Sequence, residues 1–169
     1  MKKTFTRVNS VAVFLFAVSI YMTAAAEQVG QKAPELELNN LQNQMVKLSS
    51  HRGKVVYLDF WASWCGPCRK SFPWMNAMKK QYEKDGLEII SVNLDKKRED
   101  LDKFLKKIPA DFIVLPDPAG DSAKRFELKG MPSAIIIDRT GNIVSAHIGF
   151  KDGDETLREA KIKAALAAK

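Results

Sequence analysis

Residues 55–68 read VVYLDFWASWCGPC and join an apolar run to the only two cysteines of the 169-residue chain. The continuous apolar run at residues 55–58 is typical of a β-strand that is buried on both faces. After the cysteines, apolar residues repeat at helical spacing from Phe72 to Tyr82. The segment therefore predicts a buried strand, a short loop and a helix that begins at the cysteine pair.

Strand and helix patterns alternate on both sides of this segment. Before it, residues 36–38 and 45–48 show short alternation around a polar turn, which predicts a β-hairpin. After it, the predicted elements are a strand at 87–94, an amphipathic helix at 101–108, a strand at 112–115, two helical turns at 121–128, strands at 133–138 and 142–148, and a closing helix marked by Leu157, Lys161, Ala164 and Ala168. This order predicts an α/β sandwich with a mixed central sheet flanked by helices.

The spacing of the cysteines points to redox chemistry. Cys65 and Cys68 are three residues apart, so both sulfurs lie on the same side of the first helical turn. The positive end of the helix stabilises a thiolate on Cys65 and lowers its pKa below the free value of about 8.5. Cys68 lies one turn deeper and is suited to resolve a mixed disulfide. The pair is predicted to be a reversible two-electron switch.

Two other uses of a cysteine pair fit the sequence less well. A permanent staple that closes a loop of about four residues stabilises the fold by only about 2 kcal/mol. A zinc site would need His51 and His147 as further ligands, and their separations from the cysteines fit no compact zinc spacing. We therefore predict neither a metal nor a cofactor.

Several motifs resemble the thioredoxin superfamily. Residues 59–69, DFWASWCGPCR, are similar to the active-site segment of thioredoxins. Residues 29–34 (VGQKAP) and 52–56 (RGKVV) resemble the exported TlpA/ResA-like branch, whose members carry an N-terminal hairpin. Pro73 and residues 130–133 (GMPS) match further family positions, so the resemblance spans residues 29 to about 168. It implies a thioredoxin-like sandwich with an N-terminal hairpin extension and thiol–disulfide exchange with protein thiols and disulfides.

The resemblance also implies roles for single residues. Asp59 follows an apolar run, where burial raises the pKa of a carboxyl group. In the family an acid at this place, under the second cysteine, accepts and donates a proton during exchange. Pro132 is expected to be cis and to pack against the disulfide, while the backbone of Met131 pairs with a substrate strand. Pro73 is expected to kink the helix.

The remaining predicted substrate-binding residues lie beside the sulfurs. Trp64 is expected to be a flat rim of the site, whereas Trp61 is expected in the core. Gly66 and Pro67 separate the cysteines and match the dipeptide of thioredoxin, which favours a reductant. Ser71 departs from the pattern, because many exported members carry glutamate three residues after the second cysteine. This departure weakens a dedicated role in haem-protein maturation.

The N-terminal residues predict export. A basic start at residues 1–7, an apolar run at 11–22 and small residues at 23–26 describe a secretory signal peptide cleaved after Ala26. The mature domain is then residues 27–169, and the predicted compartment is the periplasm, where disulfides persist. The alternative is an uncleaved anchor in the inner membrane that faces the periplasm. By resemblance, a membrane thiol reductant would supply electrons to the protein.

Charge and patterning limit the other partners. The chain has 27 Lys and Arg against 20 Asp and Glu, and three of the basic residues lie within the predicted signal peptide. The small remaining excess argues for neither nucleic-acid nor membrane binding. Because no coiled-coil pattern appears, the prediction is a monomer.

Two alternative functions remain open at this point. The opening of the domain also resembles peroxiredoxins, which place Thr or Ser three residues before the reactive cysteine and a proline further back. The corresponding positions here are Ala62 and Leu58, so the match fails where peroxide would bind. The other alternative is a non-catalytic binding domain that keeps the fold and an inert disulfide.

Overall fold

The computed structural model describes residues 28–168, so the predicted signal peptide lies outside the described residues. Within residues 28–168, no helix is both long enough and apolar enough to cross a membrane. The elements in chain order are β1 Glu37–Asn39, β2 Met45–Lys47, β3 Val55–Trp61, α1 Gly66–Tyr82, β4 Leu87–Asn93, α2 Arg98–Lys107, β5 Ile113–Pro116, α3 Asp121–Arg125, β6 Ser133–Ile137, β7 Ile143–Ile148 and α4 Asp154–Ala167. Short 3₁₀ turns follow β2, at Leu48–His51, and α1, at Glu83–Asp85.

The central sheet has five strands in the order β5-β4-β3-β6-β7. β3 is parallel to β4 and antiparallel to β6, and the outer pairs are β4 with β5, parallel, and β6 with β7, antiparallel. β1 and β2 form a separate antiparallel hairpin. The mixed sheet, the flanking helices and the N-terminal hairpin confirm the predicted fold.

β3 is buried along its whole length because helices or the hairpin cover both faces of the sheet. One face, which includes Tyr57 and Trp61, packs in the same cluster as the apolar side chains of α1, α2 and α4. The other face, which includes Leu58 and Phe60, packs against the hairpin region and Phe126 after α3. Successive residues of a strand point to opposite faces, so Asp59 points to the side of α1 and α4.

The helix that carries the cysteines starts where the sequence predicts. Cys65 is the N-cap of α1, and Pro67 occupies its first turn, where a missing N–H is tolerated. α1 continues through Pro73 as one helix to Tyr82. Gly86 then adopts a φ of 97° before β4, a left-handed conformation that favours glycine.

The predicted closing helix is present as α4. The side chains that α4 buries are Arg158, Ile162 and Ala165, whereas Leu157 is 56% exposed. Two boundaries differ, since β5 begins one residue later than predicted and α3 ends at Arg125 rather than Leu128.

Candidate active site

The two cysteines form a disulfide at the start of α1. The Cys65 and Cys68 sulfurs are 2.02 Å apart, and their Cα atoms are 5.4 Å apart. Cys65 is 5% exposed and Cys68 is fully buried. Cys65 is therefore the sulfur nearer to solvent, and Cys68 is shielded by the protein.

The helix terminus favours negative charge on the outer sulfur. The first N–H groups of a helix have no partner within the helix and carry its positive end. Here no side chain caps α1, and its first turn contains no acidic residue. Nothing in the first turn therefore opposes a thiolate on Cys65, which is the attacking form of a cysteine.

An open groove runs from the disulfide to the loop before β6. It brings together four of the predicted residues, namely Trp64, Cys65, Pro67 and Met131. Trp64 is 69% exposed, whereas Trp61 is fully buried, as predicted for the rim and the core. The other lining residues were not predicted as site residues, although Gly130 belongs to the GMPS motif. They are Leu94, Ala123, Leu128, Lys129 and Gly130.

The loop on the far side of the groove contains the predicted cis proline. The peptide bond between Met131 and Pro132 is cis. Pro132 is buried, and its carbonyl oxygen accepts a hydrogen bond of 2.7 Å from the Gly149 N–H. Neither Pro132 nor Gly66 lines the groove, and Gly66 is exposed on the outer side of the helix start.

Asp59 lies in the interior, on the face of the sheet that α1 and α4 cover. Its side chain is 1% exposed, and its Oδ2 atom has no hydrogen-bond partner. Burial raises the pKa of Asp59 from its ordinary value of 3.8 to about 8, against a smaller lowering effect of Arg158. Cys68 belongs to the apolar cluster on the same face of the sheet. A carboxyl group with such a pKa can give or take a proton near neutral pH.

Arg158 of α4 is a buried cation that sequence reasoning missed. It is 3% exposed, and its Nη1 donates a hydrogen bond of 3.1 Å to the Tyr57 hydroxyl. Its Nη2 donates to the Gly149 carbonyl, and its guanidinium lies 5.0 Å from the centre of the Phe150 ring. Arginine is rarely buried, so its place in the sequence offered no signal except the helical spacing to Ile162.

A second buried carboxylate holds the loop that leads to Cys65. Asp95, just after β4, is 5% exposed. It accepts hydrogen bonds from the Ser63 N–H at 3.0 Å and the Ser63 hydroxyl at 2.9 Å, and from the Asn93 side chain at 2.8 Å. The backbone two residues before the outer sulfur is thereby tied to the end of β4.

The other candidate residues make local contacts. The Ser71 hydroxyl donates to the Cys68 carbonyl at 2.9 Å, so it is satisfied within the helix. His51 lies 3.7 Å from Glu88, and the His147 ring shares a hydrogen bond of 2.9 Å with Ser145. Across residues 28–168, no group of three or more His, Cys, Asp or Glu side chains could hold a metal ion.

Comparisons with known proteins agree with this geometry. Residues 29–146 match the model of the AhpC/TSA family. The thiol-disulfide oxidoreductase ResA of Bacillus thuringiensis subsp. konkukian is 31% identical over 117 residues, which cover 69% of this chain and 68% of that protein. The Bacillus subtilis ResA is 30% identical over 120 residues, covering 71% and 67%.

A solved structure extends the likeness to the tertiary level. A protein of Chlorobium tepidum, described as a thiol:disulfide interchange protein DsbE, is 48% identical to this chain. The two structures superpose with a TM-score of 0.80, over 82% of this chain and 98% of that one.

Proposed function

This chain belongs to the AhpC/TSA family and is a thiol–disulfide oxidoreductase of the TlpA/ResA-like branch, and we propose that it works as a reductant of protein disulfides outside the cytoplasm. The observation that carries the activity is the Cys65–Cys68 pair at disulfide distance, with the less buried sulfur at the start of α1. The Gly66-Pro67 dipeptide between the cysteines supports the reducing direction, because thioredoxin with this dipeptide has a potential of about −270 mV.

The reaction starts from the reduced dithiol. The Cys65 thiolate attacks one sulfur of a substrate disulfide, a bond forms between them, and the other substrate sulfur leaves as a thiolate that takes a proton. The Cys68 thiol then loses its proton and attacks the Cys65 sulfur, which releases the second substrate thiol. Two electrons pass from the dithiol to the substrate, and the Cys65–Cys68 disulfide remains.

Asp59 supplies the proton transfer in this proposal. In its ionised form it accepts the proton of Cys68, which prepares the buried sulfur for attack. When the disulfide is reduced again, the protonated carboxyl returns that proton. A pKa of about 8 keeps both forms of Asp59 populated close to neutral pH, which is where proton transfer is most effective.

The groove supplies the place for the substrate. It places the exposed ring of Trp64 and the side chain of Met131 near the sulfur of Cys65. An extended substrate segment lying in the groove would bring its disulfide to the outer sulfur without exposing Cys68. A peroxidase function is disfavoured, because the two ResA relatives are thiol-disulfide oxidoreductases.

The first experiment tests activity and direction together. The protein should accelerate the reduction of insulin by dithiothreitol, and Cys65→Ser should abolish the acceleration. Equilibration with glutathione or dithiothreitol should give a potential near that of thioredoxin, about −270 mV, and a value near about −120 mV would identify an oxidant instead. No acceleration by the wild type would instead support a non-catalytic binding domain with an inert disulfide.

The second experiment identifies substrates. Cys68→Ser should retain them as mixed disulfides, because the second attack cannot occur. The matched control is Cys65→Ser, which keeps only the buried Cys68 sulfur and should retain few or no substrates. Mixed disulfides as abundant in Cys65→Ser as in Cys68→Ser would contradict the assigned order of attack.

The proposed location has its own test. Residues 1–26 are proposed to be a cleaved signal peptide, so the mature protein should begin at Glu27 and fractionate with the periplasm. Recovery of the full-length chain with the inner membrane would support the anchored alternative. The proposed electron donor, a membrane thiol reductant, should attack the Cys65–Cys68 disulfide, so added inner membranes should convert the oxidised protein to its dithiol.

A further inference from the structure

The interior on the α1 and α4 side of the sheet contains two buried polar atoms without hydrogen-bond partners, one from a carboxyl group and one from a guanidinium. Asp59 Oδ2 and Arg158 Nε are both buried, and neither has a hydrogen-bond partner. Burying a charged group without partners is costly, so proteins rarely retain such a group without a compensating charge. Asp59 takes part in the proposed proton transfer, whereas Arg158 has no role in it so far.

Tyr57 connects the two groups. Tyr57 and Asp59 are two residues apart on β3, so their side chains point to the same face of the sheet. The Tyr57 hydroxyl accepts the hydrogen bond from Arg158 Nη1 at 3.1 Å. The guanidinium of α4 is thereby held on the face of the sheet that carries the Asp59 carboxyl group.

We propose that Arg158 is a positioning residue for proton transfer, whose fixed positive charge favours the ionised form of Asp59 and so keeps the Asp59–Cys68 exchange active near neutral pH. This inference rests on the proposed function for the role of Asp59. A guanidinium keeps its charge at all relevant pH values, so its effect on Asp59 is constant.

The anchors of Arg158 keep this charge in place. Its Nη2 donates to the Gly149 carbonyl, and Phe150 packs against the guanidinium at 5.0 Å. Asp154, one turn earlier on α4, lies 3.7 Å from Nη2 and is 38% exposed. Asp154 therefore offsets part of the charge at the solvent side, while the inner side faces Tyr57.

Other polar groups face the same interior, and most of them do not change charge near pH 8. On the sheet, Asp59 lies opposite Ser91 of β4 and Ala134 of β6. Ala134 in turn lies opposite His147 of β7, so His147 is on the same face. Burial raises the pKa of Tyr57, and burial together with Arg158 and Lys161 lowers the pKa of His147, so both are neutral there. The titratable or charged groups on this side are Tyr57, Asp59, Cys65, Cys68, His147, Asp154, Arg158 and Lys161.

The test measures the titration of Asp59 directly in the oxidised protein. In that form the cysteine sulfurs do not titrate, so the carboxyl ¹³C shift of Asp59 against pH reports this group alone. Arg158→Gln should raise the midpoint by about one pH unit or more, since an opposite charge nearby lowers a carboxyl pKa by about 1–3 units. An unchanged midpoint in folded Arg158→Gln would overturn the proposal.

A matched variant controls for charge alone. Lys161→Gln removes one positive charge from the same helix at an exposed position. Because Lys161 is exposed, solvent screens its charge from Asp59, so its removal should leave the midpoint in place. A shift as large as that of Arg158→Gln would show a general effect of net charge and contradict the assignment.

A conservative variant separates charge from hydrogen bonding. Arg158→Lys keeps the charge but lacks the planar donors that reach Tyr57 and Gly149. Its midpoint should stay within about half a pH unit of the wild type, because the charge is retained. A shift of a full unit would show that Arg158 acts through its contacts. This comparison also decides the matter if Arg158→Gln does not fold.

A double variant shows whether Arg158 acts through Asp59. The rate of thiol exchange by the reduced protein is followed against pH in the Asp59→Asn background, with and without Arg158→Gln. Both should give the same profile, because residues that act through each other are not additive. A further shift on adding Arg158→Gln would overturn the proposal. If the wild type shows no thiol exchange, the proposed function is refuted, but the effect of Arg158 on the titration of Asp59 is still measured independently.

Discussion

Two carboxylates lie buried on or beside neighbouring strands, Asp59 within β3 and Asp95 just past β4. Asp95 accepts three hydrogen bonds at 3.0 Å or less, two from Ser63 and one from Asn93. Asp59 has an Oδ2 without a partner, and burial raises its pKa to about 8. Both are 5% exposed or less, so the two carboxyl groups differ in their hydrogen-bond partners and not in their burial.

The difference shows how one domain assigns the same side chain to two tasks. At the end of β4, backbone and side-chain donors converge on Asp95, and the carboxylate ties the loop before Cys65. In the middle of β3, the N–H groups are used by the neighbouring strands, so Asp59 meets apolar side chains and a single buried cation. A carboxyl group left unsatisfied in this way is a candidate for proton transfer.

The largest expected effect is on stability, from removing the charge of Asp59. Its folded pKa of about 8 lies above the ordinary 3.8, so the unfolded chain releases this proton first as the pH rises. Below about pH 4 the carboxyl group is protonated in both the folded and the unfolded chain, and its stabilising contribution is complete. Between about pH 4 and pH 8 the free energy of unfolding falls by about 1.4 kcal/mol per pH unit. At pH 8, Asp59→Asn should unfold with a free energy about 5 kcal/mol higher than the wild type.

This prediction is measured by urea unfolding of the oxidised protein at several pH values. The difference between the wild-type and Asp59→Asn curves should grow from pH 4 to pH 8 and then level off. A difference that does not depend on pH would show that Asp59 is ionised throughout, like an ordinary carboxylate.

The next effect is on the exchange rate. Without an acceptor for the Cys68 proton, Asp59→Asn should slow insulin reduction by about 100-fold near pH 8, within the usual range for general acid–base catalysis. Asp102→Asn is the matched control, because Asp102 lies on the exposed side of α2 in an ion pair with Arg98. Equal rates of insulin reduction for Asp59→Asn and Asp102→Asn would show that Asp59 takes no part in the proton transfer.

A smaller effect is expected at the satisfied carboxylate. Asp95→Ala leaves the Ser63 N–H, the Ser63 hydroxyl and the Asn93 amide without their acceptor, which should cost about 2 kcal/mol of unfolding free energy. Unlike Asp59→Asn, this variant should be less stable than the wild type at pH 8. Urea unfolding measures both changes in unfolding free energy. If both variants were less stable than the wild type, or both more stable, the contrast between the two carboxyl groups would be wrong.

The smallest effect concerns one hydrogen bond of the loop. Ser63→Ala removes the hydroxyl donor at 2.9 Å from Asp95 and keeps the backbone N–H donor. The expected loss is about 1 kcal/mol in unfolding free energy, with the exchange rate within about twofold of the wild type. A loss as large as that of Asp95→Ala would mean that the hydroxyl alone holds the loop.

Much of the fold could be predicted because its signals are local. The apolar run before Cys65 and the spacing of Phe72 to Tyr82 depend only on neighbours in the chain, and both were confirmed. The cis bond before Pro132 followed from the family motif and the burial of Asp59 from the apolar run before it, and both were confirmed. The roles of Asp59, Met131 and Pro132 in exchange stay predictions.

The missed features depend on contacts between distant parts of the chain. Arg158 and Tyr57 are 101 residues apart, and no local pattern joins them. Leu157 is apolar yet exposed, because the face of α4 that packs on the sheet carries Arg158 and Ile162. The groove brings together Leu94, from the loop after β4, and Leu128 and Lys129, from the segment between α3 and β6. Only the tertiary structure shows that these two segments meet.

The amino-acid sequence by itself determined the alternation of strands and helices, the position of the two cysteines at a helix start, and the family to which the motifs point. These properties follow from periodicity, turn residues and cysteine spacing, which act over a few residues. Only the tertiary structure decided which carboxylate has hydrogen-bond donors and which faces a buried guanidinium. Burial and partners are set by elements far apart in sequence, so the chemistry of Asp59 could not be read from its neighbours alone.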